Sequence, residues 1–84
     1  MALRVYNIIN IPNIATFYPV ETPEEGAALI EKMGKAQLAN PSIISNVFGL
    51  EEWDTDAGEW LEWYGPYGED IDEFMEAQGY EEES

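Results

Sequence analysis

Thr22-Pro23-Glu24-Glu25 opens the one segment of this chain whose local conformation leaves little choice. A threonine caps a helix by accepting from the first free N–H groups. A proline is preorganised for the first helical position, and a glutamate three residues after the cap completes a capping box. Leu29, Ile30, Met33 and Gln37 then fall on one stripe, with Gly26 and Ala36 beside it, and Asn40-Pro41 ends the run. The spacing predicts an amphipathic helix over residues 23–39 that packs on a sheet. Gly26 and Gly34 each weaken it by ~1 kcal/mol relative to alanine, a cost consistent with close approach to that sheet.

The flanking segments read as strands. LRVYNIIN, residues 3–10, is rich in β-branched and aromatic residues, and Asn10, Pro12 and Asn13 punctuate it. IATFYPV, residues 14–20, makes a second strand, held to an edge or a strand end by Pro19. SIISNVFGLEEW, residues 42–53, is followed by the turn DTDAG and by EWLEWYG, so residues 55–58 form a four-residue hairpin loop. In that register Trp53 faces Trp60, Asp54 faces Glu59 and Leu50 faces Trp63. Alternation places Phe48, Leu50, Leu61 and Trp63 on one face as core, and Val47, Glu51, Trp53, Trp60, Glu62 and Tyr64 on the other. Leu50, Trp53, Ala57, Trp60, Leu61 and Tyr64 also fit a helical spacing, but Asp, Thr and Gly disfavour a helix interior at the turn. Residues 70–78 read as a second, acidic helix capped by Asp70, with Glu73 in the capping-box position and Gly79 at its end. The expected fold is a single α+β domain over residues 1–79. An antiparallel sheet of three or four strands packs against one amphipathic helix, with a short acidic C-terminal helix and an acidic tail at 80–84.

Composition narrows the chemistry. With 84 residues, one domain is the sensible count. There is no cysteine and no histidine, which removes disulfides, thiol nucleophiles, zinc sites of the usual kind and the commonest general base. DTDAGEWLE begins like a calcium loop at Asp54 and Asp56. It then places Gly58, Glu59 and Gly65 where the loop needs an oxygen ligand, a glycine and a bidentate glutamate. A carboxylate-only enzyme needs a cleft that so short a chain has little room to build. The expectation is no enzyme, no metal and no cofactor. The first residues lack a long apolar run, so no membrane span and a cytoplasmic location are expected.

The charge is the second constraint. Eighteen acids face three bases, for a net charge of −15. The first fifty residues hold four acids against all three bases, and the remaining thirty-four hold fourteen acids and no base. Arg4, Lys32 and Lys35 cannot assemble a phosphate-binding patch, so direct binding to nucleic acid or to an anionic membrane is not expected. The acids instead suit a basic partner. Carboxylates on one strand face recur about every 6.8 Å, and a DNA strand carries one phosphate per ~3.4 Å of axis. In size and charge the chain is similar to the small acidic DNA mimics of phages and mobile elements, such as anti-restriction and anti-CRISPR proteins. That similarity implies an inhibitor occupying the nucleic-acid-binding surface of a basic host protein. The chain itself is expected to be a monomer or a homodimer. The partner-binding candidates are Glu51, Glu52, Trp53, Asp54, Asp56, Glu59, Trp60 and Glu62 of the hairpin, and Asp70, Asp72, Glu73 and Glu76 of the last helix. The alternative is an acidic adaptor with a Trp-centred interface whose basic partner need not bind nucleic acid. A third class, a carbohydrate or divalent-cation binder, follows from tryptophans beside acids.

Overall fold

The computed structural model describes residues 2–11 and 13–80. In chain order the elements are β1 (Leu3–Ile9), β2 (Thr16–Val20), α1 (Pro23–Leu38), β3 (Asn46–Asp54), β4 (Glu59–Glu62) and α2 (Ile71–Ala77). The strands form one antiparallel sheet in the order β2-β1-β3-β4. The α+β expectation therefore holds, with four strands. Pro19 lies in β2, an edge strand where its missing N–H costs no ladder bond. The break expected at Pro12 and residues 81–84 of the expected tail lie outside the described residues, whereas Tyr80, assigned to that tail, is half-buried and packs against the core.

Both helices pack on one face of the sheet. Leu3, Val5, Val20, Ala27, Ile30, Leu50, Trp63 and Ile71 are buried between them, flanked by Tyr18, Leu29, Met33, Phe48, Phe74 and Met75. Burial in β1 alternates, with Leu3, Val5 and Asn7 facing the helices and Arg4 and Tyr6 facing away. The buried stripe of α1 is Gly26, Ala27 and Ile30, so Ala27 does the work expected of Ala36, which is exposed. A Cβ at Gly26 would stand 3.2 Å from Leu50 Cδ1, which explains a glycine there. At Gly34 the nearest contact would be an ordinary 3.8 Å to Phe48. Gln37 carries the stripe's polar end. Its amide donates to Asn7 Oδ1 at 2.7 Å and accepts from Asn46 Nδ2 at 2.9 Å, satisfying the buried Asn7.

The caps differ between the helices. Thr22 Oγ1 accepts from the Glu25 N–H at 3.0 Å, but the Glu25 carboxylate takes the Glu21 N–H rather than that of Thr22. The box expected at α1 is thus half formed. At α2 both halves are present: Asp70 accepts from the Glu73 N–H and Glu73 accepts from the Asp70 N–H. Among the described residues no helix is long and apolar enough to cross a membrane.

Candidate functional site

The segment with two possible periods is a hairpin. β3 and β4 pair Glu51 with Glu62, Glu52 with Leu61, Trp53 with Trp60 and Asp54 with Glu59, and the Trp63 N–H donates to the Leu50 carbonyl at 2.9 Å. The turn is built by its own side chain. Asp54 Oδ1 accepts from the N–H groups of Asp56 and Ala57 at 2.9 and 3.1 Å, and Gly58 takes φ +67°. Because Leu50 and Trp63 are a hydrogen-bonded pair, alternation puts Trp53–Trp60 and Glu51–Glu62 at the closer, non-hydrogen-bonded positions. The two indoles meet edge to face at 5.6 Å and 68°.

Each tryptophan has a different setting. Trp63 is 5% exposed and meets Phe74 of α2 edge to face at 5.6 Å. Trp60 is half-buried and Trp53 is 38% exposed, both on the face that no helix covers. Leu61 has the core parity expected of it, but it lies at the rim of the sheet and is 39% exposed.

The open face is organised around Arg4, which the sequence reading counted only as a base. Its guanidinium carbon stands 3.7 Å from the Phe17 ring centre and 4.2 Å from that of Trp60, and its Nε donates to Glu51 Oε1 at 2.9 Å. Alternation places Arg4 on the face of Glu51, but the sequence alone does not say that β1 lies beside β3. Tyr6, the next residue on that face, lies across Gly49. A Cβ at Gly49 would fall 2.1 Å from the ring, so the glycine is the seat of the tyrosine. The Tyr6 hydroxyl donates to Glu62 Oε1 at 3.2 Å.

Two groups here titrate away from their ordinary values. Burial raises Glu62 above the usual carboxylate range. The Tyr6 hydrogen bond opposes that rise, and the charges of Glu51, Asp70 and Asp72 add to it. Burial, followed by the charge and hydrogen bond of Glu62, pushes Tyr6 up to about 12. A raised folded value means that the tyrosine's contribution to stability is complete below its ordinary 10 and is lost as pH climbs to about 12. We expect alkaline unfolding with a step in that window, absent from Tyr6→Phe. Melting curves at increasing pH that coincide for the two proteins would disprove the assignment.

The remaining expected site residues are scattered around this centre. Glu52 has helix-side parity, opposite Leu61. Asp56 and Glu59 are exposed at the hairpin tip, where Asp54 is held by the turn. Asp70 and Glu73 are engaged in the α2 cap, while Asp72 and Glu76 are exposed on that helix. The structure thus brings together Glu51, Glu62, Trp53 and Trp60, with Asp70 and Asp72 within electrostatic reach of Glu62. Arg4, Tyr6 and Phe17 complete the group. Among the described residues no three acidic side chains converge as a metal ion would require.

No protein-family model matches the sequence, no curated protein matches it, and no solved structure matches the fold.

Proposed function

We propose that the protein is an inhibitor that docks its acidic side on a basic, nucleic-acid-binding surface of a partner protein and so keeps nucleic acid away from it. The observation that carries this reading is the position of Glu62. It faces Glu51 across the ladder, with Asp70 and Asp72 close enough to raise its pKa. Negative charge therefore runs from the open face across β4, an edge strand, to the first turn of α2. At the tip, Asp54 and Glu59 are a second pair of carboxylates set directly opposite one another. Such pairs destabilise a hairpin, and a cationic surface relieves the repulsion on binding. Lysines and arginines arranged for phosphates meet this array through the same steering and counterion release. A partner of that kind places the protein in the cytoplasm.

The adaptor reading draws on a different observation, the exposed edge of Trp53 beside the half-buried Trp60. Aromatic anchors rimmed by acids suit a protein interface of any function.

Capture from lysate at rising salt, with and without competing duplex DNA, separates the two. The inhibitor reading expects a nucleic-acid-binding protein that duplex DNA displaces, with affinity falling by at least about tenfold between 50 and 200 mM salt. The protein itself leaves duplex DNA unshifted. A partner held equally at both salt concentrations and indifferent to DNA would exclude the inhibitor and leave the adaptor.

A further inference from the structure

The end of the sheet opposite the hairpin tip is as uncharged as the tip is acidic. Residues 5–20 and 36–50 contain no Asp, Glu, Lys or Arg, in a chain of net charge −15. The register brings these stretches together, since Ile9 pairs with Asn46 at one end of the sheet while Asp54 pairs with Glu59 at the other. The β1–β2 and α1–β3 loops meet at the uncharged end, and Asn10 fastens them. It takes φ +55°, a conformation that asparagine tolerates better than most residues. Its N–H donates to the Ser45 carbonyl at 2.7 Å, its Nδ2 donates to the Ser42 carbonyl at 3.1 Å, and its Oδ1 accepts from the Ile44 N–H at 2.7 Å.

This clasp exposes four large apolar side chains among its asparagines and serines. Ile14 is 92% exposed, Ile44 91%, Leu38 62% and Ile11 53%. Leu38 and Ile44, with Ile43, line a cleft of about 100 Å³ at the end of α1. Single exposed apolar residues are ordinary, but several on adjoining, hydrogen-bonded loops mark an interaction surface.

We infer that this end is the contact between two copies of the chain. Charge decides the occupant. Two molecules of net charge −15 repel wherever their acids approach, and among the described residues the loops at this end carry none. The nine residues of β3 separate it from the hairpin tip by about 30 Å. That is several times the Debye length of ~8 Å at physiological salt. A symmetric contact here points both acidic tips outward and leaves the open face free for another partner. The inference does not depend on the inhibitor reading, because it uses the opposite end of the molecule.

The test is light scattering over a concentration series at low and high salt, beside concentration-dependent amide shifts. The expected result is a dimer of twice the chain mass that strengthens with salt, the reverse of the dependence expected for the acidic face. Shift changes should gather at residues 10, 11 and 13–15 and at 38–40 and 42–45. The double change Ile14→Asp with Ile44→Asp should weaken the dimer by at least about tenfold, with melting unchanged at concentrations where both proteins are monomeric, because both side chains then stand in solvent. Wild-type protein that stays monomeric at high salt and millimolar concentration would overturn the inference, as would shift changes centred on the hairpin. So would a double variant that folds and dimerises as the wild type does. The amide shifts decide the matter even if that variant fails to fold.

Discussion

Trp63→Ala is expected to unfold the protein or bring it to the edge of unfolding. Trp63 is 5% exposed, follows β4 directly and joins three elements. It pairs with Leu50 of β3, whose side chain is fully buried, and it meets Phe74 of α2 edge to face. Truncating a buried tryptophan costs ~3–5 kcal/mol in lost burial and cavity. A small domain stands near the low end of the ~5–15 kcal/mol that holds proteins folded. Trp53→Ala is the control. That ring is 38% exposed, and its edge-to-face contact with Trp60 is worth ~0.5–1.5 kcal/mol. Denaturant titration of both variants measures the difference. A Trp63→Ala protein as stable as Trp53→Ala would mean that α2 is held by something other than this ring.

Much of this architecture was legible because local signals agreed with one another. Thr22 and Asp70 each mark a helix start, and each caps one. The hairpin register followed from turn chemistry at residues 55–58, and parity then placed Leu50 with Trp63 and Glu51 with Trp53. What could not be read was which strand lies beside which. That gap hid the pairing of Arg4 with Glu51, forty-seven residues apart, and the seating of Tyr6 on Gly49. It also changes how the carboxylates divide. Parity groups Glu51 with Glu62 as acids free for a partner, and Glu59, of core-side parity, joins them only by its place beside the turn. The structure ties Glu51 to Arg4 and Glu62 to Tyr6, while Glu59 at the tip is exposed. Leu61 shows the same limit from the other side, since parity cannot tell the centre of a sheet from its rim.

Arg4→Met should have the second largest effect, because it removes the cation and keeps most of the stem. The Arg4–Glu51 pair is half-buried, with 23% and 22% of the two side chains exposed. An exposed ion pair is worth ~0–1 kcal/mol. Contact with an aromatic face adds ~0.5–1 kcal/mol, more where water is excluded, and here Phe17 and Trp60 both contribute. The expected loss is therefore about 1–3 kcal/mol. Arg4→Lys should recover little of it, since an ammonium lacks the planar group that lies against rings. A cycle with Glu51→Gln should show that the two changes are not additive, because each removes the same contact. Without the cation, Glu51 and Glu62 face one another with only the Tyr6 hydroxyl on Glu62 to offset their charge. Glu62 already titrates above the ordinary 4.5, so its contribution is present below that value and is lost as pH rises through the folded one. The sign is then fixed: Arg4→Met should regain stability as the medium is acidified from neutral, and more steeply than the wild type. Denaturant midpoints for the two proteins across that range give the answer. Parallel pH profiles would show that Arg4 acts through packing of its stem and not through charge.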